Sequence, residues 1–258
     1  MMHSLLLALL MPLVVAVAGG DQPLPDPMQR HIPFAAGESA RYRVGWGIFS
    51  RAGSATLSVT RDTLRADTVL HAVLAVRGGI PGARINERLE TWMDPETTAS
   101  RRFLQYARYP GFSRDRIREF DAVHRKWSGH TNAKPDSGSL PTAHPLDDLS
   151  TVFVARTIPL TVGQDVVLHD YWRPESNPIV LKVLRLETVK VPAGTFHTVV
   201  VRPIIRTSSL FAENGEAEVY LSTGEHRELV MLRAKLKLGT LVLRLERHSP
   251  VAPAKALE

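Results

Sequence analysis

The feature that most limits what this chain can fold into is a period of two in its first patterned stretch, residues 37–59, GESARYRVGWGIFSRAGSATLSV. Tyr42, Val44, Trp46 and Ile48 alternate with Arg41, Arg43, Gly45 and Gly47. Such alternation sends successive side chains to opposite faces of a sheet. Ser50-Arg51-Ala52-Gly53 carries turn chemistry, and Ala55, Leu57 and Val59 resume the alternation. The stretch therefore predicts a β-hairpin with one apolar face. Gly45 and Gly47 leave the other face of the first strand without side chains, which suits strong curvature or, alternatively, room for a ligand.

Similar patterns recur along the chain. Residues 68–76, TVLHAVLAV, read as a buried strand, and residues 101–106, 114–120 and 124–127 as strands of a meander with arginine on one face. Those arginine faces are expected to be solvated outer faces. Residues 85–93 fit strand or helix by composition and stop at Asp94-Pro95. Residues 131–145 read as a long polar loop. In residues 147–156 the apolar positions 149, 152 and 153 fall at helical spacing, and Asp147 and Asp148 suit the capping of a first turn, so one short helix is predicted there, ending before Pro159.

Strands follow over 166–172, 179–191, 196–206 and 217–222, with turns at Pro192-Ala193-Gly194 and Asn214-Gly215. In the closing hairpin, a two-residue turn at Gly239-Thr240 sets Leu238 opposite Leu241, Leu236 opposite Leu243 and Ala234 opposite Leu245. The same register places Lys235 against Arg244 and Arg233 against Glu246. The expected fold is mainly β: a single domain of curved antiparallel sheet, a half-barrel or open barrel of roughly ten strands, with one short helix.

At 258 residues the chain suits one domain. Residues 5–18 form an apolar run ending in Ala16-Val17-Ala18, which reads as a signal peptide over 1–18 and implies a periplasmic or secreted protein. Pro23, Pro25, Pro27 and Pro33 mark a linker over 19–33. The β domain then spans 34–248, and 249–258 is a disordered tail. The absence of cysteine excludes a disulfide framework, a thiolate metal site, a cysteine nucleophile and a lipidated cysteine. The net charge of +6 is spread over many strands, so a soluble basic surface is the first reading, and anionic lipid headgroups or an acidic polysaccharide are the partners it would suit. No nucleic-acid recognition motif and no heptad pattern is present, so the chain is read as a monomer with no nucleic-acid partner.

There is no G-x-S-x-G elbow, H-E-x-x-H or Walker pattern, and the ten histidines are scattered singly. No catalytic residue, metal ligand or cofactor is assigned on this basis. The function expected is non-catalytic binding of an apolar or amphiphilic, lipid-like ligand in a β-sheet cleft of an exported cell-envelope protein. Trp46, Ile48 and the apolar face of the last hairpin would line the cleft, with Arg41 or Arg43 at its rim for an anionic head; Trp46 as plain core is the competing reading. An envelope structural or assembly factor that binds protein or glycan is the alternative, and a hydrolase assembled from distant residues is a third.

The opening GE-x-x-x-Y-x-V-x-W pattern with its following Ala-Gly, Asp148-Leu149-Ser150 leading to Arg156, the turn from Val191 to Phe196 and the closing strand pair resemble a bacterial exported family, domain of unknown function 3108. The resemblance covers roughly residues 34 to 247. That family often has tryptophan and paired aspartates near its end, where this chain has residues 220–225, YLSTGE. The resemblance implies an exported, mostly antiparallel β-protein and lends no catalytic residues.

Overall fold

The computed structural model describes residues 24–204, 217–236 and 239–251. The expected signal peptide, the Asn214-Gly215 turn and the tail beyond residue 251 lie outside them. Within the expected linker, Leu24 and Ile32 pack against the core.

The strands are β1 (Ser39–Trp46), β2 (Phe49–Leu64), β3 (Asp67–Ile80), β4 (Ala83–Met93), β5 (Ser100–Tyr109), β6 (Phe112–Asp121), β7 (Lys126–Thr131) and β8 (Lys134–Ser139), then β9 (Asp165–Leu168), β10 (Ile179–Val191), β11 (Gly194–Ile204), β12 (Ala217–Ser222), β13 (Leu229–Leu236) and β14 (Gly239–Ser249). The helix α1 (Ser150–Thr157) lies between β8 and β9. Among the described residues, all fourteen strands join one antiparallel sheet in the order β8-β7-β6-β5-β4-β3-β2-β1-β14-β13-β12-β11-β10-β9. The first and last strands therefore meet in the middle of the sheet, and the free edges are β8 and β9. The chain passes from one edge to the other through α1. A barrel left open at one seam results, and a parallel bridge between Leu146 and Tyr171 lies in the stretches flanking that seam.

The curved antiparallel sheet and single short helix agree with the sequence pattern, and the strand number exceeds the expected ten. One addition is β8, which lies inside the expected polar loop. It has five exposed positions out of six, so it carries no apolar face that a period-two reading could detect. Residues 85–93 resolve to strand: Ile85, Glu87, Leu89, Thr91 and Met93 alternate on the buried face, a period that a helix would scatter around its circumference.

Two turns fall elsewhere than expected. The first hairpin closes at Gly47-Ile48, with Trp46 paired to Phe49, so Ile48 is a turn residue and not part of the strand alternation. The closing hairpin pairs Leu236 with Gly239 and Ala234 with Leu241, four residues away from the expected register. Arg233 faces Val242 and Met231 faces Arg244. The expected sidedness survives because the displacement is even, and an even slip returns every side chain to its original face.

Gly47 adopts φ +57 at the first turn, a left-handed conformation that costs an L-residue roughly 1–2 kcal/mol. Gly47→Val is expected to lose about that much in urea unfolding, although nothing stands within 4 Å of the added Cβ; an unchanged midpoint would refute backbone conformation as the reason for the glycine.

Candidate functional site

Strand alternation divides β1 between two environments. Tyr42, Val44 and Trp46 point into the core, each no more than 2% exposed. Arg41 and Arg43 point outward, where Glu246 of β14 meets them at 3.4 and 2.9 Å. Hydrogen bonding from Arg43 holds the Glu246 carboxyl below its usual range. Ile48 projects from the turn at 93% exposure. The four residues singled out from sequence are therefore split by the sheet: Trp46 is on the inside, and the other three are on the outside.

On the outside, Arg43 and Ile48 line a depression of about 560 Å³ together with Gly45, Phe49, Arg233 and Arg244. Its floor exists because Gly45 has no side chain; a Cβ there would come within 3.1 Å of Arg244 Nη1 and 3.3 Å of the Phe49 carbonyl. Arg43 and Arg244 face one another across the β1–β14 ladder, an unfavourable like-charge pair. Glu246 answers Arg43, whereas Arg233 and Arg244 form no ion pair among the described residues. Glu218, in the adjoining hollow with Arg233, is already engaged by Arg185 at 3.2 Å and Arg202 at 3.3 Å. The depression thus combines exposed apolar groups with guanidinium groups in excess of carboxylates.

Inside the barrel, the residues of the opening pattern and of the helix converge. Asp147 Oδ1 accepts the backbone N–H groups of Leu149 and Ser150, both at 2.8 Å, and the Asp147 N–H donates to Ser150 Oγ at 2.8 Å. This reciprocal arrangement satisfies orphan donors of the first turn. Asp147 therefore caps as expected. Its Oδ2 also accepts from Thr91 and Ser100, and burial raises its carboxyl to about 6 against those bonds. Asp148 instead accepts the Tyr171 hydroxyl at 2.5 Å.

From the last turn of α1, Arg156 donates bidentately to Glu38 at 2.8 and 2.9 Å and to the His226 carbonyl at 2.9 Å. His248 of β14 stands 3.7 Å from Glu38 and 3.5 Å from Glu228. Burial alone would lower the His248 pKa, but the two carboxylates override it and raise it to about 9. Ser222 completes the group by donating to Glu228. Serine, histidine and carboxylate thus lie together in the wrong order for nucleophile activation: the hydroxyl meets a carboxylate, and the imidazole is held as a cation rather than as a free base. The arrangement is an ionic clamp that fastens α1 to β1 and β14.

The sequence reading overlooked a third set of residues. Arg116 and Arg118 were expected on a solvated face, but they are 4% and 0% exposed and face inward. The phase of β6 groups the arginines at 114, 116 and 118 with Phe112 and Phe120 on one face, but alternation alone does not say that this face turns inward.

The fold and these sites define a class of open antiparallel barrels whose terminal strands meet in mid-sheet and whose two edge strands are joined along the chain through a helix. The chain belongs to the DUF3108 family, proteins of unknown function, whose model matches residues 41–246. Among solved structures, it is similar to a β-barrel-like protein of domain of unknown function DUF1849 from Brucella abortus, at 9% identity and TM-score 0.49 over 84% of this chain and 99% of that one. It is also similar to a Bacteroides fragilis protein assigned as exported, with a YmcC-like fold, at 12% identity and TM-score 0.31 over 85% of this chain and 99% of that one. A Parabacteroides distasonis protein assigned as a lipoprotein matches at 12% identity and TM-score 0.32 over 84% and 98%. No curated protein matches the chain. Among the described residues no helix is long and apolar enough to cross a membrane.

Proposed function

We propose that this chain is an exported cell-envelope protein that binds, without catalysis, an amphiphile with an anionic headgroup, and that the outer depression beside the first turn receives it. Export rests on the apolar run at residues 5–18 and its Ala16-Val17-Ala18 ending. The observation that carries the binding reading is the pairing of the 93% exposed Ile48 with Arg233 and Arg244, cations without a described ion-pair partner, around one hollow. Ile48 and Phe49 would enter the apolar layer, and Arg43, Arg233 and Arg244 would face the headgroups. Trp46 supports this surface from the core side and does not touch the ligand.

Co-sedimentation with vesicles of phosphatidylglycerol and phosphatidylcholine tests the reading. Arg244→Gln is expected to weaken binding about fivefold, from ~1 kcal/mol per basic residue at a charged lipid surface. Ile48→Asp is expected to abolish it, with both variants keeping the parent melting temperature. Equal binding of parent and variants, or no preference over pure phosphatidylcholine, would refute the assignment.

A further inference from the structure

Next to the seam lies a second basic site, built inside the barrel. On β6, Arg114, Arg116 and Arg118 alternate along the inward face, and Arg116 sits opposite Gln105 of β5. The segment after β9 brings Trp172 against them. It is tied in place by the Leu146 N–H donating to the Asp170 carbonyl at 2.6 Å and the Trp172 N–H donating to the Leu146 carbonyl at 3.0 Å. The guanidinium carbons of Arg173, Arg118 and Arg116 lie 4.6, 5.2 and 5.9 Å from the centre of the Trp172 ring. Three cations therefore surround one buried indole.

Their acceptors do not match them. Arg118 is served through its terminal nitrogens by the Ile117 and His130 carbonyls, Thr131 and Asp136. Arg116 is not: no described carboxylate lies within ion-pair distance of it, and its Nε has no hydrogen-bond partner. Arg118 Nε and Trp172 Nε1 are likewise buried donors without acceptors. Of the neighbouring carboxylates, Asp148 holds the Tyr171 hydroxyl, and Glu87 holds Tyr109 and Gln105. Glu175 stands 4.0 Å from Arg173 and is exposed. Burial raises the Glu87 carboxyl above its usual range, against the bonds from Tyr109 and Gln105.

An arginine without an acceptor in a dry interior is costly, and its charge persists at neutral pH. Burial first, and the Arg173 charge second, lower the Arg116 pKa to about 10, still well above neutrality. Arg116 Nε, Arg118 Nε and Trp172 Nε1, buried donors on side chains packed against one another and without an acceptor, suit an anion that offers several oxygens. Arg173, 22% exposed at its side chain, leaves a route from solvent. We propose that Arg116, Arg173 and Trp172 bind an oxyanion of the phosphate class at the barrel seam, as free phosphate or as the phosphate of a larger ligand. This site is separate from the outer depression and does not depend on it.

The test is thermal unfolding of the purified protein, followed by tryptophan fluorescence, in inorganic phosphate, in dihexanoyl phosphatidic acid, and in chloride of equal ionic strength. At about tenfold over Kd the phosphate ligand is expected to raise Tm by roughly 4 °C. Arg116→Gln is expected to abolish that rise and, because it removes an uncompensated buried charge, to raise Tm in chloride; a purely structural arginine would lower it. Arg244→Gln keeps the rise, which separates this site from the outer one. Trp172→Phe keeps an aromatic ring but removes the orphan N–H with the pyrrole half of the indole, and is expected to weaken binding about fivefold, from ~1 kcal/mol per hydrogen bond; it replaces Arg116→Gln should that variant fail to fold. A response to inorganic phosphate alone identifies a free anion, and a stronger response to the phosphatidic acid identifies a headgroup. No rise with either ligand, or a rise that survives in Arg116→Gln, overturns the proposal.

Discussion

Glu38→Gln is expected to destabilise the protein by about 3–5 kcal/mol, the range for breaking a buried ion pair by removing one partner. Glu38 and Arg156 are 4% and 1% exposed and joined by two hydrogen bonds. The glutamine can accept one of these bonds but cannot neutralise the guanidinium. Arg156 would then remain charged among Phe34 and Phe153, whose ring centres lie 4.9 and 5.5 Å from its guanidinium carbon. Since a domain of this kind has roughly 5–15 kcal/mol of total stability, the loss should be plain in urea unfolding as a lower midpoint at constant m. Combining Glu38→Leu with Arg156→Met should recover most of it, because a matched apolar pair removes both desolvation costs. A loss below about 1 kcal/mol, the value of an exposed pair, would show that the helix is not held by this clamp.

The second large effect is on the alkaline side. His248 titrates at about 6.5 when unfolded and is raised to about 9 in the fold, burial opposing and Glu228 and Glu38 prevailing. A raised histidine binds its proton more tightly when folded, so its contribution is complete below about 6.5 and is lost as pH rises through 9. The difference corresponds to about 3 kcal/mol. Glu228 shows the acid limb of the same contact: burial pushes its carboxyl up, but His248, Ser222 and its own backbone bring it down to about 2. Its contribution is present above about 4.5 and falls away as pH drops towards 2. The two limbs describe one shared interaction and do not add. The contribution of this contact, read as the difference in denaturant unfolding between the parent and His248→Gln, should therefore form a plateau between about pH 4.5 and 6.5 and fall beyond pH 7. His248→Gln should flatten the alkaline limb, and an unaltered limb in that variant would assign it to other groups.

Much of the fold could be read directly because apolar and polar residues alternate wherever a strand has a wet face and a dry one. The stretch from Tyr42 to Trp46 shows this clearly. Strand β12 was placed at the residues it occupies, and the helix was recognised from the spacing of Leu149, Val152 and Phe153 and from its capping aspartate. The candidate site was less legible. Ile48 continues the alternation of β1 by one step, yet it belongs to the turn, because Gly47 reaches positive φ more cheaply than the Ser50 to Gly53 stretch turns. Arg41 and Arg43 were recognised as surface cations, but alternation gives no information on which cations already have a carboxylate. Glu246, which engages both, lies about two hundred positions away along the chain.

The residue pattern alone determined the compositional class, most of the antiparallel strands, which residues share a face of each and the helix, because each follows from contacts within a few residues. Tertiary structure decided the pairing of β1 with β14, the seam between β8 and β9, the register of the closing hairpin and the inward face of the β6 arginines. Alternation is unchanged by a slip of two or four residues and carries no sign for which face is concave. Only the closing of the sheet around α1 and Trp172 breaks that symmetry, and in doing so it places Arg116 in the interior and Arg244 on the surface.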